Sequence, residues 1–261
     1  MRVLSLNTQK AYQPGLQEFL TDLVQSGVYD FILLQEAVEN VIAPLRNHDA
    51  YTILEEFNTE MGGMSHLCIV HRSTYAMSYS TLHSFGMMHP FRKLQHPGFG
   101  ILMGTFDIPE GRVQIGSLHL HSGWLPHVRV REVLRLKRHL LDDTEPGVPT
   151  IFGGDFNLGF PGEVSNGYRL LAPEFSANTR AYGTTLDSRY SEPHHNVINT
   201  TAVALARLGL GLKLKTDHFF VDAATAKRVT AERILLDRVS DHSPIELELR
   251  LQEEEQAFPV Y

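Results

Sequence analysis

The sequence predicts an α/β fold of the α+β kind. Apolar runs of strand length alternate with amphipathic helical patterns, and polar residues capable of chemistry stand at the ends of the apolar runs. No linker, short-period repeat or low-complexity block divides the 261 residues, so one domain over 1–252 is expected, followed by a tail at 253–261.

The elements follow in order. Val3 to Leu6 reads as a short strand, and Pro14-Gly15 marks the loop after it. Leu16, Phe19, Leu20, Leu23 and Val24 fall on one helical face, with Gly27 as the stop. Asp30 to Leu34 is a continuous apolar run, as a strand buried on both faces requires. Tyr51–Leu54, His66–His71, Gly100–Phe106 and Val113–Leu120 are further strands, the last two joined by a turn at Ile108-Pro109-Glu110-Gly111. Pro126 to Leu141 is the longest helical pattern. Val130, Val133, Leu134, Leu136 and Leu140 interleave there with Arg129, Arg131, Arg135, Lys137 and Arg138. That pattern predicts an outer helix with a solvated basic face; contact with an anionic polymer is the sharper alternative. Strands at Thr150–Phe152, Phe219–Val221 and Ile245–Leu251 complete the pattern, and the tail from Glu253 to Tyr261, acidic then apolar, is expected to be poorly ordered.

Composition narrows the function. Apolar and charged fractions are those of a globular protein, which excludes bulk disorder. A formal charge of −7 argues against an indiscriminate nucleic-acid binder, although a local basic face or a bound cation can act inside an acidic protein. The single cysteine, Cys68, lies in an apolar run and predicts a buried thiol. Met1 leads directly into a strand rather than a signal peptide, and no apolar run approaches the roughly 20 residues of a membrane span. A soluble, cytoplasmic monomer without stable membrane association is expected.

Six motifs carry the chemistry in a fixed order: LSLN, LLQEA, SLHLHSG, FGGDFN, TDHFFV and SDHSP. They place Asn7, Glu36, His119, Asp155, Asn157, Asp217, Asp241 and His242 at strand ends, where a sheet presents its rim to ligands. Carboxylates, carboxamides and histidines together suit a hard cation and a phosphoester. Asp155 and Asn157, at i and i+2 after two glycines, project to one face if the backbone is extended, and the glycines allow close approach of a phosphate or metal. An Asx turn is the competing reading. His119 and His121 share a face by the period of two. A zinc site is the lesser reading, since cysteine ligands and an HExxH spacing are both missing.

The motif set resembles the endonuclease/exonuclease/phosphatase superfamily of DNase-I-like metal-dependent phosphoesterases. The resemblance spans Asn7 to His242, and GGDFN and SDHSP are its most specific parts. It implies a four-layer sandwich of two packed mixed β-sheets flanked by helices, and a Mg²⁺ or Mn²⁺ cofactor. It implies that Asn7, Glu36 and Asp241 bind or orient the metal, while His119, Asp155, Asn157, Asp217 and His242 act in catalysis. Asp217 is expected to pair with His242, and either Asp155 or His242 is the base. Leu118 replaces the threonine of the family's THL-like segment, which leaves His119 and His121 in competition for the phosphate. Arg92 and Lys93, in the loop His83–Phe99, and Arg180 and Arg189, in the loop Asn178–Asn196, are candidate substrate contacts. A nuclease or nucleic-acid-processing phosphodiesterase acting on DNA or RNA is expected. The alternatives are hydrolysis of small phosphoesters, inositol phosphates or phospholipid head groups, and an inactive binding protein on this fold.

Overall fold

The computed structural model describes residues 1–9, 14–56, 66–85, 100–120, 126–158, 167–177, 185–187, 213–235 and 239–251. The first stretch of the fold comprises β1 (Arg2–Asn7), α1 (Leu16–Ser26), β2 (Phe31–Ala37), α2 (Glu39–Arg46), β3 (Tyr51–Glu56) and β4 (His66–Arg72). Then come β5 (Ala76–Ser84), β6 (Gly100–Ile108), β7 (Gly111–His119), α3 (Pro126–Asp143), β8 (Thr150–Asp155) and β9 (Phe175–Ala177). The short strands β10 (Leu186–Asp187) and β11 (Lys213–Leu214) precede β12 (Asp217–Asp222), β13 (Val229–Ile234) and β14 (Ile245–Leu249).

β10 pairs separately with β11, and the other twelve strands form two mixed six-stranded sheets, ordered β13-β14-β1-β2-β4-β3 and β5-β6-β7-β8-β12-β9. Each has one parallel pair at its centre, β1–β2 or β7–β8, and antiparallel neighbours outside it. A parallel pair needs a crossover, and α1 and α3 supply the two crossovers. The sheets pack face to face over a core that includes Val3, Phe31, Leu33, Ile69, Phe106, Ile115, Ile151, Phe219 and Leu247. The alternate residues face outward. Leu4, Leu6, Ile32, Leu34 and Val70 pack with Leu16, Leu20 and Val24 of α1 and Val41, Ile42 and Leu45 of α2. On the other side Ile101, Met103, Phe152 and Phe220 pack with Val133, Leu136 and Leu140 of α3. The four-layer sandwich is therefore present, and Cys68 is buried in it.

Four features differ from expectation. α2 contains Pro44, whose missing N–H deprives the Asn40 carbonyl of its helical donor; Gln17 Nε2 of α1 takes that carbonyl instead, at 2.8 Å. On α3, Val130 and Leu134 are exposed, so the buried stripe is narrower than the sequence pattern. β5 and β13 are strands without a continuous apolar run, at the sheet edges. The glycines of the Gly153-Gly154 pair are required by packing. A Cβ at 153 would lie 2.5 Å from the Phe219 ring, and one at 154, where φ is +151°, would lie 1.9 Å from the Leu118 carbonyl oxygen. The expected tail at 253–261 lies outside the described residues. Among the described residues no helix is long and apolar enough to cross a membrane.

Candidate active site

The inner faces of the sandwich change character towards one end. Along β1 the inward positions run Val3, Ser5, Asn7; along β2, Leu33 and Gln35; along β7, Ile115, Ser117, His119; along β8, Ile151, Gly153, Asp155; along β12, from its far end, Val221, Phe219, Asp217. The period of two thus carries an apolar core outward through small polar residues to ionisable ones. Gln35 crosses between the sheets beneath this end, its Nε2 donating to Ser117 Oγ at 3.1 Å and to Ser5 Oγ at 3.3 Å. Ser117 Oγ in turn donates to the Leu34 carbonyl at 3.1 Å.

Asp155 Oδ2 is the hub of the ionisable group. Asn7 Nδ2 donates to it at 3.0 Å, and His119 Nε2 and His242 Nε2 lie 3.7 and 3.8 Å away. Glu36 Oε1 lies 3.4 Å from Asn7 Nδ2 and 3.6 Å from His119 Nε2. Asp241 Oδ1 is 3.9 Å from His242 Nε2 and accepts from Ser240 Oγ at 3.2 Å. His242 Nδ1 and Asp217 Oδ2 form a 2.7 Å hydrogen bond, the pairing expected from the sequence. All of these side chains are buried except that of Glu36, which is 24% exposed. β2 bulges where it pairs with β4, between Leu34 and Ala37, and Glu36 there takes φ +50°. Among the described residues the only other non-glycine positive φ values are at Gln9 and Asn157, both beside this group. Backbone strain concentrated in this way is characteristic of functional sites.

Asn157, at φ +52°, is not on an extended backbone, so it does not share the face of Asp155 through strand alternation. Its N–H closes an Asx turn onto Asp155 Oδ1 at 2.8 Å, and its Nδ2 donates to the Leu120 carbonyl at 2.7 Å. The Asx turn and the site therefore coexist, because Asp155 uses Oδ1 for the turn and keeps Oδ2 for the cluster. Asn7 is similarly divided: Oδ1 accepts the Gln9 N–H at 3.0 Å, which turns Nδ2 toward the carboxylates. His121, Arg92, Lys93, Arg180 and Arg189 lie outside the described residues.

Burial sets the electrostatics. It pushes the Asp155 carboxyl up, to about 8, with Asp217 adding to the effect and His242, the Asn157 N–H and Asn7 opposing it. Burial also disfavours the charged form of His242, but the carboxylates of Asp217, Asp241 and Asp155 outweigh it and hold the imidazole well above its usual value. Asp217 moves below the carboxylate range despite burial, through His242, Thr185 and Thr216.

Several supporting residues gave no sequence signal of their own. Thr185 Oγ1 accepts the N–H groups of Thr216 and Asp217, and its carbonyl accepts the Ser243 N–H at 2.7 Å. Behind Asp217, on the outer face of the sheet, His218 is held neutral by burial, its value lowered to about 4, with Lys215 adding to the effect. Tyr168 Oη lies 2.9 Å from its Nδ1, and its Nε2 lies 3.1 Å from the Lys215 carbonyl. A neutral imidazole between a hydroxyl and a carbonyl donates from Nε2 and accepts at Nδ1. Parity along the strands would have marked Gln35 and Ser117; Thr185 is distant in sequence and carries no such mark.

The donor set suits a divalent cation. Ligand atoms of Asp155, Asp217 and His242 lie within 4.8 Å of one another. Two of the three are engaged with each other at 2.7 Å. Burial, with Asp217 adding to it, holds the Asp155 carboxyl up, and a cation at this end would favour its ionised form.

The model of the endonuclease/exonuclease/phosphatase family matches residues 4–242. The chain belongs to that family. At family level its chemistry is metal-dependent phosphoester hydrolysis. Among solved structures, D. rerio TDP2 complexed with a single-strand DNA product is 17% identical with a TM-score of 0.69, covering 95% of this chain and 97% of that one. A Bacteroides thetaiotaomicron mannosyl-6-phosphatase is 16% identical with a TM-score of 0.71, covering 96% and 99%. A functionally unknown conserved protein from Enterococcus faecalis is 19% identical with a TM-score of 0.69, covering 96% and 99%. No protein of curated function matches the sequence. At these identities the likeness to solved structures is one of fold.

Proposed function

We propose that this family member hydrolyses phosphodiester bonds, as a nuclease or nucleic-acid-processing phosphodiesterase with Mg²⁺ or Mn²⁺. The observation that carries the reading is Asp155 Oδ2 standing within 3.0–3.8 Å of Asn7, His119 and His242, with Asp217 behind His242 and Glu36 at the open side. Glu36 and Asp241 would hold the cation, and Asn7 would orient the carboxylates, leaving the hub oxygen of Asp155 to the chemistry. When bound, the cation neutralises charge on the phosphoryl group and leaving oxygen. Asp155 in its ionised form takes a proton from the attacking water, and burial makes that carboxylate the stronger base. His242, kept protonated by Asp217, donates from Nε2 to a phosphoryl oxygen, as does His119. The second Nδ2 hydrogen of Asn157 is available for the same purpose, since one is committed to Leu120.

The pairing of C-terminal β14 with N-terminal β1 supports 1–252 as one catalytic unit. The unpaired buried thiol of Cys68 is in keeping with a reducing, cytoplasmic setting, and a monomer is proposed. The likeness to TDP2 with bound DNA product supports the nucleic-acid reading. The charge of −7 and the equally good likeness to a mannosyl-6-phosphatase support a second reading, hydrolysis of a small phosphomonoester. A panel decides between them: single-stranded and plasmid DNA, RNA, bis-p-nitrophenyl phosphate and p-nitrophenyl phosphate, each with Mg²⁺ or Mn²⁺. Diester and nucleic-acid turnover is expected. Turnover of the monoester alone selects the second reading, and no turnover with any substrate points to a binding protein.

A further inference from the structure

We infer that Thr216 is a positioning residue for the Asp217–His242 pair, acting through hydroxyl protons whose direction Thr185 helps to impose. The consequence for turnover rests on the function proposed above; the geometry stands apart from it. Thr185 Oγ1 accepts the N–H of Thr216 at 3.0 Å and that of Asp217 at 3.1 Å. A hydroxyl has two lone pairs and one proton, so Thr185 has only its proton left to give. That proton has two acceptors in front of it, Thr216 Oγ1 at 3.4 Å and the Asp217 carboxylate. Thr216 Oγ1 lies 3.0 Å from Asp217 Oδ2. An ionised carboxylate can only accept, so Thr216 must donate there. The His242 Nδ1, 2.7 Å from the same oxygen, must donate as well.

Two donors on one oxygen fix the carboxylate against rotation and choose which oxygen faces the imidazole. They also fix the imidazole itself: Nδ1 carries a proton, and Nε2 is turned toward Asp155. Thr185 is fully buried and ties both partners into one frame, because its carbonyl holds the Ser243 N–H at 2.7 Å and Leu186 bridges His242. Thr216 itself is buried among these groups, away from bulk solvent. Its side chain is a strand-entry residue in position and a clamp in action.

Two replacements test this in the full chain. Thr216→Val keeps the branched shape and removes the donor; Thr216→Ser keeps the donor. With ¹⁵N-labelled histidine, the Nδ1 proton resonance of His242, identified by its loss in His242→Gln, should move and broaden in Thr216→Val. It should return in Thr216→Ser. Turnover should show kcat lowered about tenfold in the valine variant with KM within about twofold, and recovery in the serine variant. If the valine variant does not fold, Thr216→Ala replaces it in both measurements. An unmoved resonance with unchanged kcat overturns the inference, as does a serine variant that behaves like valine. Absence of phosphoesterase activity would sink the functional reading alone, since the resonance still decides the role of Thr216.

Discussion

At the last rung of β1–β2, Asn7 stands opposite Gln35, and the Thr8 N–H bonds the Gln35 carbonyl at 2.8 Å. At the last rung of β7–β8, His119 stands opposite Asp155, and the Leu120 N–H bonds the Asp155 carbonyl at 2.8 Å. Both rungs carry an Asx turn, onto Asn7 in one and Asp155 in the other. The backbone arrangement is thus repeated, and the side chains diverge. The β1–β2 rung ends in two amides, with its carboxylate displaced one residue to the bulged, part-exposed Glu36. The β7–β8 rung ends in the ionisable pair itself, buried. A carboxylate with access to solvent suits an exchangeable ion, whereas a buried carboxyl with a displaced pKa, such as Asp155, suits proton handling. One scaffold used twice therefore allows the labour to be divided by side chain alone.

The division can be broken most sharply on the buried side. Asp155→Asn and His242→Ala should each lower kcat by about a thousandfold or more, with circular dichroism unchanged, if the proposed roles in the transition state hold. Near-normal turnover in a folded variant would remove the buried rung from the chemistry. Next in size is the packing that places that rung. Gly154→Ala puts a Cβ against the Leu118 carbonyl and should cost about 3 kcal/mol in urea denaturation. A neutral result would mean that β7 and β8 can separate without penalty.

The open side is sharpened by calorimetric titration of Mg²⁺. Glu36→Gln should weaken binding by about tenfold or more, while Asp217→Asn should leave it nearly unchanged. Equal losses would erase the distinction between the rungs. The finest test is pH. His242 is held above 6.5, so an activity needing the imidazolium persists through neutrality and falls as pH rises through the elevated value. Asp217→Asn weakens that support and should move the alkaline limb toward lower pH; an unmoved limb at full activity refutes the pairing. Stability carries the same signs. The histidine's contribution is complete below 6.5 and lost as pH rises through its folded value. That of Asp217 is present above 3.8 and lost as pH falls through its depressed value.

The central strands were readable from sequence because burial on two faces leaves an unbroken apolar run, as in Phe31 to Leu34. β5 was not readable, because an edge strand of mostly exposed residues owes its existence to pairing with β6. α2 was hidden by Pro44, whose cost is offset by a side chain 27 residues earlier, Gln17. The same contrast holds at the site. Asp217 and His242 could be paired from their motifs, and their geometry is that of a pair. The turn at Asn157 and the frame supplied by Thr185 depend on backbone conformation and on contacts distant in sequence, which residue identity does not encode.

The gradient along the inner faces makes the site a matter of phase. Asn7, His119, Asp155 and Asp217 face inward because each sits an even number of residues from a core anchor: Val3, Ile115, Ile151 and Phe219. Inserting one residue between anchor and end, for example between Gly153 and Gly154, would turn the carboxylate toward the outer helices and the neighbouring Phe156 toward the mouth. A two-residue insertion would restore direction but carry the group about 7 Å further out. The strands thus act as rulers with a fixed unit. Length changes that preserve this aim are those made in the connections, where they reshape what is bound without altering where the chemistry is directed.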